Sequence, residues 1–245
     1  MDWLSTHEAV VIGVIFMLVL GPAVGNYACS VVYRLPRGQT PFERHPYCGH
    51  CGADLQPIDL FPILSWCLTR GKCRYCAGEI PSLYTVIELA CAAVFVAYFL
   101  NFGIGEYFLL YTAYAVFTLI VAGIQWQRGW VAQSVYSYAL LAIGLARVRA
   151  EHTIYGWFDG FLLMLVLCVA LHMLVAKINA TRFDPFTTPW IWWMALMGAL
   201  LPTPLWPLLL VPVFFLLLFY FGKPQHRALA LIPVVACALY LPLVL

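Results

Sequence analysis

The feature that most constrains this chain is a succession of apolar runs about as long as a bilayer is thick. They lie near residues 9–32, 85–103, 107–125, 134–149, 157–177, 190–202, 206–222 and 228–244. A helix needs roughly 20 apolar residues to cross about 30 Å of hydrocarbon, and several of these runs are that long. Those near 134 and 190 are shorter or carry polar residues. The expected fold is an all-α polytopic membrane protein with about eight transmembrane helices, or seven if one of the weaker runs does not span. Composition agrees, since 64% of residues are hydrophobic and only 10% are charged, against about 25% charged in a soluble domain. The lipid bilayer is thus an expected partner. Net charge is only +2, and no nucleic-acid partner is expected.

Charge placement gives the orientation. The residues before the first run carry Asp2 and Glu8, and basic residues follow it. A cleaved signal peptide has the opposite order and a shorter apolar core, so the first run reads as a retained span with its N-terminus outside. Eleven of the 13 Lys and Arg then fall in cytoplasmic segments, leaving Arg147 and Arg149 outside, as the positive-inside rule asks. The chain divides into a first span (1–33), a cytoplasmic loop (34–84) and a seven-helix membrane domain (85–245).

The loop carries the second strong signal. Cys48-Gly49-His50-Cys51 is followed, after 21 intervening residues, by Cys73-Arg74-Tyr75-Cys76. Two Cys-x-x-Cys knuckles at this separation can close one tetrahedral site with four thiolates. Zinc is the default ion, because it accepts four soft sulfurs and does no redox chemistry. Two disulfides or four unpaired thiols are the other readings, and a cytoplasmic loop favours reduced thiols able to hold metal. A closed four-sulfur site leaves no position for water, so the expected zinc is structural. His50 reads as a solvated loop histidine. Cys29, Cys67, Cys91, Cys168 and Cys237 sit in or near apolar runs, most of them as small core residues.

Residues 25–36, Gly-Asn-Tyr-Ala-Cys-Ser-Val-Val-Tyr-Arg-Leu-Pro, resemble the segment that ends the first span in type IV prepilin leader peptidases. The two knuckles are similar as well, as are Pro62-Ile63-Leu64-Ser65-Trp66, Arg70-Gly71-Lys72-Cys73 and Ile80-Pro81-Ser82-Leu83-Tyr84 running into Glu88-Leu89. The resemblance is close over residues 20–95. It implies an eight-span bacterial inner-membrane aspartyl protease that cuts leaders from prepilins and pseudopilins of type IV pilus and type II secretion systems. In many members the new N-terminus is then methylated with S-adenosylmethionine. Cutting in the family takes two aspartates, since one carboxylate activates water while the other protonates the amide.

The chain departs from the family at those aspartates. Gln125, Gln127 and Gln133 occupy the Asp positions of the loop after the third span. Glutamine hydrogen-bonds but does not accept and return a proton near neutral pH. The second motif, Gly-x-Gly-Asp, is missing, and its Asp position falls near Pro189 or Trp190. Of the five Asp (Asp2, Asp54, Asp59, Asp159 and Asp184), Asp184 lies in the corresponding loop and is the weak catalytic candidate, with a polar helix end before Pro185 as the simpler reading. Asp159 would sit at the outer face, about 30 Å from Asp184, too far for a dyad. Asn26, Cys29 and Asp59 replace the family's usual Ser, Asn and Glu.

Glu88 falls early in the second span. A carboxylate there is costly. The resemblance suggests a place in the leader-binding or methyl-transfer region, and a pair with Arg34 or Lys72 is the structural reading. His172 reads as a hydrogen-bonded core histidine. Trp190, Trp192 and Trp193 suggest an interfacial belt or a groove for an apolar helix. The expected function is that of a catalytically degenerate prepilin-peptidase homologue that binds prepilin-like helices. The other readings are an active divergent peptidase using Asp184 and a homologue acting only as a methyltransferase.

Overall fold

The computed structural model describes residues 7–41 and 46–128, with isolated helical positions between 162 and 173 and at 239. The runs from 134 onward, with Gln133, Asp159, His172, Asp184, Pro189 and the tryptophans at 190, 192 and 193, lie outside the described residues.

Helix α1 (His7–Arg34) leads into a short 3-10 turn, Leu35–Arg37. The loop that follows holds a second 3-10 turn, Pro57–Leu60, and the six-residue helix α2 (Leu64–Thr69). Two long helices then complete the described chain, α3 (Ser82–Phe102) and α4 (Glu106–Arg128). Strands are absent among the described residues, and only two isolated bridges, Tyr47 with Asp54 and Lys72 with Glu79, pair backbone across the loop. By length and composition α1, α3 and α4 can each cross a bilayer.

Helices α1 and α4 run past their apolar runs at both ends, and α3 starts ahead of its own. Helix α3 starts at Ser82, because Pro81 ahead of it has extended backbone and lacks the N–H that a preceding turn would need. Gln125 and Gln127, expected in a loop, stand in the last turn of α4. Gln, Trp and Arg are tolerated helix residues, and the first residue of low helix propensity is Gly129.

Helices α1 and α3 pack at backbone distance. A Cβ on Gly21 would lie 2.8 Å from the Ala92 Cα, and one on Gly25 would lie 2.7 Å from the Glu88 Cα. Between apolar helices there is little hydrophobic gain to collect, so close contact through small residues is what holds them. Pro22 sits buried inside α1, tolerated where neighbouring helices resatisfy the freed carbonyl. Further along, Ala28 and Val32 of α1 are fully buried, and Gly123 of α4 approaches Val32 and Ile87. On its other side α1 exposes Ile12, Ile15, Phe16 and Val19, an apolar face suited to lipid.

Candidate metal centre

The four loop cysteines come together. The sulfurs of Cys48, Cys51, Cys73 and Cys76 all lie within 4.8 Å of one another, and the Cys48 and Cys76 sulfurs are 4.0 Å apart. Zinc–sulfur bonds of about 2.3 Å in a tetrahedron place the sulfurs about 3.8 Å apart, so the cluster could hold such an ion with small adjustments. None of the four is in a disulfide.

The backbone explains how the knuckles form, and the two are built alike. The Cys48 N–H donates to the Ala53 carbonyl at 2.9 Å, and the Cys73 N–H to the Gly78 carbonyl at 2.8 Å. Returning bonds run from Gly52 N–H to the Cys48 carbonyl and from Ala77 N–H to the Cys73 carbonyl, both 2.9 Å. The bridges repeat the offset, one residue before each first cysteine and six after it. In each knuckle the first cysteine is buried and the second exposed. The fourth residue after the first cysteine has positive φ in both, 71° at Gly52 and 54° at Ala77.

Four thiols this close repel as thiolates. The Gly78 N–H acts to lower the Cys76 thiol, yet lost hydration and the sulfurs of Cys51, Cys73 and Cys48 push it up to about 11. A cation between the sulfurs reverses that balance, because a coordinating thiol is deprotonated outright. His50 is not among the clustered ligands. Its ring Nε2 lies 3.2 Å from the Glu79 carbonyl, so it links one knuckle to the other at the exposed rim.

Side chains at the end of α1 seat the first knuckle. The Tyr33 hydroxyl lies where a side chain on Gly49 would go. The Tyr33 ring meets Tyr47 edge-on at 6.4 Å, with the Arg37 guanidinium 3.8 Å above it. Buried Arg34 lies 5.9 Å from the Tyr47 ring. Asp59 ties the second knuckle to the Pro57–Leu60 turn. Its carboxylate accepts from the Gln56 N–H and the Tyr75 hydroxyl, each at 3.1 Å, and pairs with Arg74 at 3.2 Å. Aspartate fits this place because its short side chain also closes the turn's capping box.

Glu88 does not pair with Arg34 or Lys72. Its carboxylate accepts the Ile63 N–H at 2.7 Å, at the entry to α2. The Ile63 N–H precedes the helix and has no carbonyl behind it, so a buried acceptor from α3 supplies the partner. Asn26 acts similarly, donating from Nδ2 to the Leu60 carbonyl at 2.6 Å. In the sequence Asn26 and Tyr33 stand out only as part of the family-like segment 25–36, with nothing to show what they touch. Cys29 and Cys91 are buried as expected, whereas Cys67 is exposed on α2. At the family's Asp positions, Gln127 donates from Nε2 to the Tyr84 hydroxyl at 3.2 Å, and the Gln125 Oε1 is buried.

Comparison with known proteins agrees with this architecture. Residues 19–102 match the Bacterial Peptidase A24 N-terminal domain, a stretch that begins inside α1 and ends with α3. The chain is similar to the prepilin leader peptidase/N-methyltransferase of Myxococcus xanthus, 34% identical over 36% of this chain and 27% of the relative. It is similar to that of Bacillus subtilis at 31% identity over 36% of each. The likeness to that of Vibrio cholerae is weaker and longer, 25% identical over 62% of this chain and 65% of the relative. The chain thus spans about a third of the first two relatives and just under two thirds of the third. No solved structure matches it. Apolar helices and relatives together mark a membrane protein, whose residues 19–102 are similar to the N-terminal domain of the prepilin leader peptidases.

Proposed function

We propose that this protein is an inner-membrane prepilin-peptidase homologue that has kept the family's metal-clamped N-terminal domain and lost its proteolytic dyad. It would hold prepilin-like helices in a pilus or secretion assembly without cutting them. The observation that carries the reading is Gln127. At a family Asp position stands an amide whose nitrogen donates to Tyr84, and an amide does not titrate near neutral pH and so does no general acid or base work. The missing Gly-x-Gly-Asp motif supports the same conclusion. Cys48, Cys51, Cys73 and Cys76 would hold one structural zinc ion on the cytoplasmic side, where thiols stay reduced. S-adenosylmethionine rests on the family resemblance alone, the relatives being named N-methyltransferases.

The test is leader cleavage. Purified protein in detergent is mixed with a panel of prepilins, beside an Asp184→Ala variant and an active relative as control. The expected result is no cleavage by either form, with retained crosslinking to the prepilin helix. Cleavage by the parent and none by the variant would establish an aspartyl site rebuilt around Asp184 and overturn the proposal.

A further inference from the structure

The loop does not simply sit above the membrane spans. Two of its backbone groups are held well inside them. Asn26, which binds the Leu60 carbonyl, lies eight residues before the end of α1 at Arg34, or about 12 Å along the helix. Glu88, which binds the Ile63 N–H, lies six residues after the start of α3 at Ser82, or about 9 Å along it. Helix α3 has 21 residues, about 31 Å at 1.5 Å per residue and hence little more than the hydrocarbon itself. Residues 60–63 therefore stand near the level of the outer acyl chains. Irregular backbone is tolerated at such depth only where protein groups satisfy it. The amide and carboxylate that do so here are polar side chains in otherwise apolar helices.

The surface of the same segment fits that depth. Phe61 is 62% exposed, Leu64 56% and Leu68 70%. Leu64 and Leu68, four residues apart, share one face of α2, and Phe61 is exposed at its entry. Ile58 is exposed beside them. Directly after α2 come Arg70 and Lys72, both exposed, with long side chains able to reach phosphate headgroups.

We propose that residues 57–69 dip into the bilayer leaflet on the loop side, laying Phe61, Leu64 and Leu68 against acyl chains while Asn26 and Glu88 hold the backbone at that depth. The occupant of the exposed face is lipid. At the loop end of α3, Val86 and Leu89 are exposed as well, and the exposed basic residues Arg70 and Lys72 follow the face in sequence. The metal-clamped knuckles are thereby held at a fixed height over the membrane, whether or not the protein cuts anything.

The experiment uses the full chain in lipid nanodiscs. Trifluoromethyl-phenylalanine is placed singly at Phe61, Leu64 and Leu68, with Val19 of α1 as the lipid-facing control and Asp54 of the first knuckle as the aqueous control. Fluorine line broadening is compared between a lipid carrying a nitroxide high on its acyl chain and a water-soluble gadolinium chelate. The expected result is several-fold stronger broadening by the labelled lipid at 61, 64 and 68, as at 19, and the reverse at 54. A pattern at 61, 64 and 68 like that at 54 would overturn the proposal. So would gadolinium broadening that fades only when a prepilin peptide is added, which would assign the face to a substrate helix. Zinc content of each labelled protein reports that the loop is folded.

Discussion

Gly52 and Ala77 hold the same position in the two knuckles, four residues after Cys48 and Cys73, and both carry the chain through positive φ, at 71° and 54°. Glycine takes that conformation freely, whereas alanine is strained by its Cβ by roughly 1 kcal/mol. Open space surrounds the Gly52 position, so the asymmetry is one of backbone alone. Ala77→Gly should therefore tighten metal retention, by up to about fivefold for 1 kcal/mol, and Gly52→Ala should weaken it by a similar factor. Competition with a chromophoric chelator on the purified protein reads both changes, and identical retention in all three proteins would remove strain as their cause.

Metal removal should release the loop and spare the spans. The knuckles have little apolar core of their own, since only Cys48 and Cys73 are buried in each turn, and small metal-clamped units lose their fold with the ion. A strong chelator, or Cys73→Ser with Cys76→Ser, should raise amide exchange across residues 46–81 sharply. Helical circular dichroism should fall only slightly, because α1, α3 and α4 are held by their own packing. Acid should act in the same direction, as protons compete with metal for the four sulfurs.

Much of this was legible in the sequence because two signals are nearly independent of tertiary context. Run length with low charge marks the spans, and cysteine spacing marks the clamp. The helix ends and the polar contacts were less legible for a physical reason. Charge alone points Glu88 at Arg34 or Lys72, yet its partner is a backbone N–H, which has no sequence signature. Similarly, the Gln125 and Gln127 positions read as loop because apolarity ended there, although helix propensity did not. The internal likeness of the two knuckles was hidden because the residues at equivalent positions, such as Gly52 and Ala77, differ in type while their backbone bonds coincide.

The α1–α3 contact should be sensitive to a single methyl group. At Gly21 and Gly25 the neighbour an added Cβ would strike is backbone, at Ala92 and Glu88, which moves only if the helices part. Gly25→Ala should cost about 1–3 kcal/mol, as overpacking does, and Gly21→Leu more. Thermal unfolding in detergent, followed by the loss of helical signal, should show a lowered midpoint for both. Val19→Leu, on the lipid-facing side, should leave it unchanged.

The bond between Glu88 and Ile63 should matter through its acceptor and not through its charge. Ile63 is a β-branched residue at φ 62° and ψ −48°, and the Leu64 N–H turns back to the Pro62 carbonyl across it. This is a γ-turn of the positive-φ kind, rare and strained. The Ile63 N–H donates to the α3 carboxylate at 2.7 Å. Glu88→Gln retains a carbonyl oxygen for that N–H and should be tolerated. Glu88→Ala leaves a buried donor without a partner, at a cost of about 1–3 kcal/mol, and should free residues 57–69 first. Adding Ile63→Gly to Glu88→Ala should recover part of the loss, since glycine relieves the positive φ. Amide exchange at residues 60–68, compared across the parent, both single variants and the double variant, separates these cases. Equal exchange in Glu88→Gln and Glu88→Ala would show that the charge is what the loop requires.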